Sequence, residues 1–344
     1  MTNIPHILLI YTGGTIGMVK DYKTGSLQAF NFDKLLNHIP EINHLNCSID
    51  SVSFEVPIDS SNMNPKNWIT IAEIIETNFE KFDGFVVLHG SDTMSYTASA
   101  ISFMFENLSK PIIFTGSQLP IGDLRTDAKE NLITSIEIAS AQENGMPVVS
   151  EVCLYFEYKL YRANRTTKIN AEHFQAFMSP NYPAICESGV HLKFFKQYLQ
   201  KAPLHKLLKV RKELNSNIVI LKLFPGITQN TVKCILNLEG IKGVILETFG
   251  AGNAPSNNWF VSLLKEAIDK GIQIINVTQC AGGSVIMGHY ETSVALGEIG
   301  VISGYDITTE SALAKLMYML GANIPKNEFK SIFETALRGE ISLN

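Results

Sequence analysis

The sequence predicts an α/β protein with a larger N-terminal domain, built on a mostly parallel sheet, and a smaller C-terminal α/β domain. Two observations predict this class. Short runs of β-branched and apolar residues alternate with segments of helical periodicity, a pattern typical of a parallel sheet that helices cover on both faces. The length of 344 residues also favours two domains, since one domain takes about 150 residues.

The first half of the chain shows the alternation most clearly. Its predicted strands are 7–11, 52–56, 85–89, 112–115 and 148–156, and its predicted helices are 65–82, 93–108 and 127–141. The first helix has the clearest start, because Asn64 is a favourable N-cap and Pro65 suits the first helical position. We therefore expect these strands to lie side by side in one sheet.

A change of character divides the chain near its middle. Lys and Arg cluster between residues 191 and 216, and Pro203 interrupts that stretch. We predict an N-terminal domain over 1–190, a connector over 191–216 and a C-terminal domain over 217–344. The predicted strands of the last part are 218–223, 244–248 and 272–277, and its predicted helices are 229–238, 258–270, 308–320 and 328–337.

Composition and charge exclude several classes of protein. The net charge of −5 argues against nucleic-acid binding, which favours a basic face. The five cysteines are odd in number and form no C-x-x-C pair, so neither a disulfide framework nor a zinc site is indicated. No apolar run approaches the ~20 residues that span a bilayer, and the N-terminus lacks the basic region of a signal peptide. We expect a cytoplasmic protein with reduced thiols and no contact with membranes.

Hydroxyl and acidic side chains follow four of the predicted strands. They are Thr15 after the first strand, Asp59, Ser60 and Ser61 after the second, Ser91 and Asp92 after the third, and Ser117 after the fourth. A single Ser or Thr after a strand is more often a helix N-cap. Ligands of open parallel sheets, however, bind beyond the carboxyl ends of the strands. The convergence of so many hydroxyls on one edge predicts a ligand site there.

Several kinds of site do not fit the sequence. The glycines after the first strand lack the Gly-Lys-Ser/Thr ending of a P-loop, and the Gly250 turn has Pro255 where a dinucleotide fingerprint needs glycine. The histidines form no close pair of metal ligands, and His89 is most simply a hydrogen-bonded scaffold residue. A nucleophilic hydroxyl could instead use a desolvated lysine, and Lys168 with Asp92 offers this option. A lysine in such a segment is by itself more often a solvated surface residue.

Five segments together resemble the bacterial-type L-asparaginase family, and they resemble its cytoplasmic type I branch most. They follow one another in order over nearly the whole chain: YTGGTIGM (11–18), HGSDTM (89–94), TGSQ (115–118), NRTTK (164–168) and GAGNAP (250–255). The resemblance implies an N-terminal domain with a left-handed crossover and hydrolysis of L-asparagine to L-aspartate and ammonia without a metal or cofactor. It also implies a homodimer or homotetramer built from intimate dimers.

The resemblance assigns catalytic roles to four residues. Thr15 matches the acylated threonine nucleophile, and Asp92 and Lys168 match the acid and the lysine of a second constellation. The hydroxyl between them is a threonine in the family and Ser91 here. This difference keeps the hydroxyl but removes the methyl group that restricts its rotamer.

The resemblance also assigns residues to substrate binding. Ser60 and Asp92 match residues that hold the α-carboxylate and α-ammonium groups, and Asp59 and Ser61 flank them. Ser117 matches a position whose backbone carbonyl faces the side-chain amide, and Asn253 matches a residue that the neighbouring subunit supplies.

Two further features of the family are altered in this sequence. Many members place a tyrosine in the loop after the nucleophile; here the loop holds Tyr22, although the matching position falls near Ser26, so Tyr22 could also be a plain turn residue. Some members bind a second asparagine as an activator through an arginine, and Glu247 occupies that position here. Thr167 and Cys280 match other residues of the effector pocket, which we therefore predict to be vestigial.

Two other functions remain open at this point. Related chains form the amidase part of a tRNA-dependent amidotransferase, but those usually carry an additional N-terminal domain, whereas this sequence starts directly on the first predicted strand. A binding module with a dead site is the other alternative. The retained set of hydroxyl, aspartate and lysine argues against it.

Overall fold

The computed structural model describes residues 4–20, 27–29, 39–203, 205–288 and 291–342. The chain divides into two compact units, Met1–Lys212 and Glu213–Asn344. None of the helices in these described ranges is long and apolar enough to cross a membrane.

The first unit holds most of the strands. In chain order they are β1 (His6–Gly13), β2 (Met18–Lys20), β3 (Leu27–Ala29), β4 (Ser48–Ile58), β5 (Gly84–Leu88), β6 (Phe105–Glu106), β7 (Ile112–Thr115), β8 (Gln142–Glu143), β9 (Met146–Pro147), β10 (Val152–Phe156), β11 (Lys159–Arg162), β12 (Thr167–Lys168), β13 (Phe177–Met178), β14 (Cys186–Ser188), β15 (Leu192–Phe194) and β16 (Lys209–Val210). The longer helices of this unit are α1 (Pro65–Asn78), α2 (Met94–Met104) and α3 (Ala128–Ser140).

An eight-stranded sheet organises the first unit, in the order β15-β14-β11-β10-β7-β5-β1-β4. The strands from β10 to β4 are parallel to their neighbours, whereas β11, β14 and β15 pair antiparallel. Every residue of β5, β7 and β10 is buried, as expected for central strands with both faces covered. The mostly parallel sheet that the sequence predicts is therefore confirmed, and the antiparallel extension was not predicted.

The hydrophobic core lies between this sheet and its helices. One core cluster joins alternate residues of β1, Ile7, Leu9 and Tyr11, to Leu132 and Ile136 of α3. Alternation places the side chains of one face on the same helix, because successive side chains of a strand point to opposite sides. Helix α1 begins as predicted, with Asn64 accepting from the N–H of Lys66 within a capping box.

Part of the predicted connector is folded into the first unit. Strand β15 pairs with β14 at the edge of the large sheet, and β16 pairs with β6. Both strands lie within residues 191–216, for which the sequence predicted only a connector. The backbone N–H and C=O groups of β15 and β16 pair with the edge strands β14 and β6. The irregular spacing of Lys and Leu in this stretch gave no sign of these two strands.

The second unit is a smaller α/β layer structure. Its strands β17 (Ile218–Lys222), β18 (Gly243–Thr248), β19 (Gln273–Thr278) and β20 (Ile302–Ser303) form a parallel sheet in that order. Its helices are α4 (Gln229–Leu236), α5 (Asn258–Asp269), α6 (Glu291–Glu298), α7 (Thr309–Gly321) and α8 (Lys326–Phe333). Val232 of α4 and Phe260 of α5 share a core cluster with Val244 and Leu246 of β18. The predicted smaller C-terminal α/β domain is confirmed.

Candidate active site

Glycines let the loops after β1, β4, β5 and β7 approach each other closely. A Cβ added at Gly14 would lie 2.5 Å from Cα of Gly90, and one added at Gly90 would lie 2.5 Å from Oγ of Ser60. A Cβ added at Gly116 would lie 2.3 Å from the carbonyl oxygen of His89. Any side chain at these positions would push the loops apart. The four strand ends therefore form one continuous surface, as the sequence predicted for a parallel sheet.

Thr15 begins a single 3-10 turn, Thr15–Gly17, directly after β1. The chain enters this turn through Gly13 and Gly14, whose φ angles of 130° and 86° favour glycine. The Thr15 side chain is partly exposed, while Ile16 is buried beneath it. The turn thus presents one hydroxyl on a fixed backbone.

Lys168, Ser91 and Asp92 form a connected set at the same edge. Nζ of Lys168 donates to Oγ of Ser91 at 2.8 Å and to Oδ1 of Asp92 at 2.6 Å. The Lys168 side chain is only 17% exposed, whereas that of Asp92 is 66% exposed. Lys168 is therefore not a solvated surface lysine, and its ammonium group is held between a hydroxyl and a carboxylate.

Short β pairing brings Lys168 to this position. Thr167 and Lys168 form strand β12, which pairs with β13. The preceding turn is anchored on α2, because Oγ1 of Thr166 and Oγ of Ser95 lie 3.0 Å apart and Asn164 donates to Oγ of Ser102 at 3.0 Å. The polar NRTTK segment is thus largely buried, and its hydroxyls and amide are used to fasten it.

The segment after β4 presents polar groups at its surface. Oδ1 of Asp59 accepts from the backbone N–H and the hydroxyl of Ser61, both at 2.9 Å. These bonds lower the pKa of the exposed Asp59 carboxyl below its usual value. Ser60 is buried, and its carbonyl oxygen accepts from the Thr93 hydroxyl at 2.7 Å. That bond ties this segment to the loop of Ser91.

The segment after β7 is held by helix α3. Ser117 is buried, and its hydroxyl donates to the carbonyl of Leu119 at 2.6 Å. The carboxylate of Asp127 accepts from the backbone N–H groups of Gln118 and Leu119 at 2.9 to 3.1 Å. Gln118 also accepts the Ser91 hydroxyl at 3.0 Å, a contact that the sequence did not predict. The only signal for it was that Gln118 follows Ser117 at the same sheet edge.

His89 lies under this surface and is completely buried. Its Nδ1 lies 2.7 Å from the carbonyl oxygen of Gly90. Burial lowers the pKa of His89 to about 4, so the ring is neutral at pH 7. This geometry agrees with a scaffold residue.

Three of the predicted residues lie in the second unit. Glu247 lies near the end of β18, with its carboxylate 3.3 Å from Nζ of Lys222, and it accepts from the Thr309 hydroxyl at 2.7 Å. Asn253 closes a tight loop in which it bridges Phe249. The thiol of Cys280 is exposed.

The predicted loop tyrosine, Tyr22, lies outside the described residues. Thr167, which the sequence matched to the effector pocket, is half-buried in β12 of the first unit. Among the described residues, no group of His, Cys, Asp and Glu side chains is arranged to hold a metal ion.

Comparison with known proteins identifies the family of the chain. The N-terminal asparaginase family model matches residues 6–200, and the glutaminase/asparaginase C-terminal domain model matches residues 217–333. L-asparaginase 1 of Escherichia coli is 40% identical over 338 residues, which cover 98% of each chain.

Two further relatives cover almost the whole of this chain. The crystal structure of L-asparaginase I from Vibrio cholerae has a TM-score of 0.89 and 41% identity, and the match covers 98% of this chain and 99% of that one. One component of the glutamyl-tRNA(Gln) amidotransferase of Pyrococcus abyssi is 30% identical over 98% of this chain and 77% of its own length. By both of its domains, this chain belongs to the asparaginase family.

Proposed function

We propose that this protein hydrolyses L-asparagine to L-aspartate and ammonia through an acyl-enzyme on Thr15. The observation that carries the proposal is the Lys168–Ser91–Asp92 set beside the glycine-packed turn of Thr15. A partly exposed hydroxyl on a rigid turn and a desolvated lysine on a second hydroxyl are the parts that acyl transfer needs. The 40% identity to a protein named L-asparaginase 1 supports the same reaction.

The reaction proceeds in two steps. Oγ of Thr15 attacks the side-chain amide carbon of asparagine, and the bond to nitrogen breaks to release ammonia. Water then attacks the ester carbon, which frees aspartate and restores the Thr15 hydroxyl. Backbone N–H groups around Thr15 and Ser91 stabilise the oxyanion in each step; one such donor is typically worth ~10²–10³ in rate.

Lys168, Asp92 and Ser91 move protons during these steps. Lys168 contacts both other groups directly. The carboxylate of Asp92 balances the charge of Lys168, and the Ser91 hydroxyl connects the lysine to the reacting atoms. The exposed part of Asp92 also leaves it able to bind the α-ammonium group of the substrate.

Asp59, Ser60, Ser61 and Ser117 complete the substrate site. The hydroxyl of Ser60 binds the α-carboxylate, with Asp59 and Ser61 flanking it, and the carbonyl of Ser117 accepts from the side-chain amide. Asn253 acts on the site of the neighbouring subunit in an intimate dimer. Because one extra methylene changes binding by only ~1–3 kcal/mol, glutamine is a minor substrate.

The protein acts in the cytoplasm under this proposal. All five cysteines are free, including the buried Cys153 and Cys186. Free thiols are typical of a reducing compartment.

Ammonia release from free L-asparagine tests the function directly. We expect purified wild-type protein to produce equimolar aspartate and ammonia with no tRNA present, and Thr15→Ala to lose about a thousandfold or more in kcat while it folds normally. Thr15→Ser should keep part of the rate. Activity that requires charged tRNA would favour the amidotransferase function of the Pyrococcus relative, and asparagine binding without turnover would favour a binding module. Near-normal turnover of Thr15→Ala would exclude Thr15 as the nucleophile.

A further inference from the structure

Gln118 connects the catalytic hydroxyl of the proposed mechanism to a loop that the mechanism does not use. Its backbone N–H donates to the Asp127 carboxylate at 2.9 Å, which fixes the backbone from which the side chain extends. Its side chain then reaches between Ser91 on one side and the segment 171–173 on the other. The amide group therefore links the loop of Ser91 to the segment 171–173.

The orientation of the Gln118 amide is determined by its partners. Nε2 donates to the carbonyl oxygens of Ala171 and His173, both at 3.1 Å. Only the NH₂ end of an amide can satisfy two carbonyls, because an oxygen there would face two other acceptors. Oε1 must then point at Oγ of Ser91, 3.0 Å away.

This orientation in turn determines where the Ser91 hydrogen lies. A serine hydroxyl has one hydrogen to donate and can accept through its lone pairs. Since Oε1 of Gln118 is an acceptor only, Ser91 donates its hydrogen to it. The oxygen of Ser91 is then left to accept from Nζ of Lys168, which also donates to Asp92. Each of these contacts pairs one donor with one acceptor.

We propose that Gln118 is a positioning residue, which fixes the Ser91 hydroxyl so that its oxygen faces Lys168 as an acceptor. The proposal rests on the proposed function, in which Ser91 and Lys168 carry protons. It matters in this chain because Ser91 lacks the methyl group that would otherwise restrict its rotamer. The bond to Gln118 selects one rotamer and one direction of the O–H bond.

Kinetics of three variants separate positioning from support of the loop. Gln118→Met keeps the length of the side chain but removes its polar atoms. We expect kcat to fall about tenfold, the effect of one lost hydrogen bond, while KM changes less than twofold. Asn170→Ala is the matched control, because Oδ1 of Asn170 holds the same loop through the N–H groups of Glu172 and His173 without reaching Ser91. It should change kcat less than twofold.

A double variant gives the decisive comparison. In a Ser91→Ala background, Gln118→Met should cause no further loss of kcat, since the group that Gln118 positions is already absent. Equal losses in both backgrounds would overturn the proposal. So would an Asn170→Ala variant as slow as Gln118→Met, because support of the loop would then explain both.

The conformation of Ser91 in crystals tests the same inference without using activity. In wild type we expect one Ser91 rotamer, with Oγ in contact with Nζ of Lys168. In Gln118→Met, Ser91 should occupy more than one rotamer, since neither Gln118 nor a methyl group restricts it, whereas Asn170→Ala should keep the wild-type rotamer. A single, unchanged Ser91 rotamer in Gln118→Met would overturn the proposal. Failure of wild-type protein to hydrolyse asparagine would instead refute the proposed function and leave this readout intact.

Discussion

At the residue scale, the candidate site depends on a lysine that is removed from water by its partners. Lys168 follows a polar segment that on sequence alone resembles a surface turn, yet its side chain is mostly buried against Ser91 and Asp92. Its charge is compensated by a carboxylate at 2.6 Å, which is what permits a lysine to be desolvated. Removing either partner should therefore change chemistry as well as stability.

Substitution of the Lys168 ammonium should separate catalysis from binding. We expect Lys168→Met to reduce kcat by at least about a thousandfold at neutral pH while KM changes far less, because the proton path is lost and the groups that hold the substrate remain. Steady-state kinetics give both constants. A Lys168→Met enzyme that keeps its kcat but loses affinity would show that the lysine binds substrate instead.

Position 91 should accept the methyl group of the threonine that the family resemblance predicts there. We expect Ser91→Thr to keep kcat within about threefold, since the hydroxyl remains and the rotamer becomes more restricted. Ser91→Ala should lose ~10²-fold or more, the range of a lost general acid–base group. Equal damage by both substitutions, measured at saturating asparagine, would contradict the match between Ser91 and the family threonine.

At the element scale, the site is a product of strand order and small residues. The parallel pairing of β4, β1, β5 and β7 brings four strand ends together, and Gly14, Gly90 and Gly116 let them touch. The sequence revealed the strands and the edge, because the central strands are continuous apolar runs. It could not reveal β11, β14 and β15, which are short and carry charged residues such as Lys159 and Arg162.

The contacts within the site were harder to predict than its location. Lys168 reaches Ser91 across 77 positions of sequence, and Gln118 reaches it across 27. No periodicity encodes such a contact, since it arises only when separate elements meet. Residue type and position at a strand end indicated which hydroxyls matter, and packing decided which side chains join them.

Burial of His89 between β5 and its loop should make the first unit sensitive to acid. The folded pKa is about 4, below the unfolded value of about 6.5. The unfolded state therefore binds a proton first as the pH falls, and the stabilisation present above pH 6.5 is lost as the pH falls toward 4. For a completely buried ring the loss amounts to about 3 kcal/mol.

Urea unfolding at a series of pH values between 7.5 and 4.5 measures this effect. The free energy of unfolding of wild type should fall with pH more steeply than that of His89→Gln. His191→Gln, which alters an exposed histidine, should keep the wild-type slope. Burial of Asp127 and Glu130 raises their carboxyl pKa, which increases the free energy of unfolding as the pH falls. Both carboxyls are present in every protein compared, so the difference between the variants isolates the effect of His89. Parallel curves for wild type and His89→Gln would contradict the prediction.

At the scale of the whole molecule, the second unit carries Asn253, which we expect to serve the active site of a neighbouring subunit. Asn253 sits in a loop closed by its own backbone bridge to Phe249, with Gly250 and Gly252 at φ angles of 49° and 104°. Its Oδ1 is buried and meets no hydrogen-bond donor among the described residues. A loop this constrained is suited to deliver one side chain at a fixed place.

Subunit mixing should reveal whether Asn253 serves a neighbour. Thr15→Ala and Asn253→Ala should each be inactive as homodimers. A hybrid of the two contains one site with both residues intact, so random mixing should restore about a quarter of wild-type activity. Ammonia release after denaturation and joint refolding measures this recovery. Verified hybrids without activity, or a fully active monomer, would contradict a shared site.

The dependence of rate on asparagine should be hyperbolic, because Glu247 at the predicted effector position would repel a second carboxylate. The α-carboxylate of such an activator forms two parallel hydrogen bonds to a positively charged guanidinium. The Glu247 carboxylate is negative, like the α-carboxylate itself. Its carboxylate is also engaged already, by Lys222 at 3.3 Å and by the Thr309 hydroxyl at 2.7 Å, and its side chain is only 12% exposed. A ligand that cannot bind one state in preference to another shifts no equilibrium.

A steady-state titration from well below to well above half-saturation tests this, with Glu247→Gln as the control that removes the charge without supplying a cation. Both proteins should give a Hill coefficient near ~1, and a clearly sigmoidal wild-type curve with a coefficient near ~2 would show that another residue has replaced the arginine.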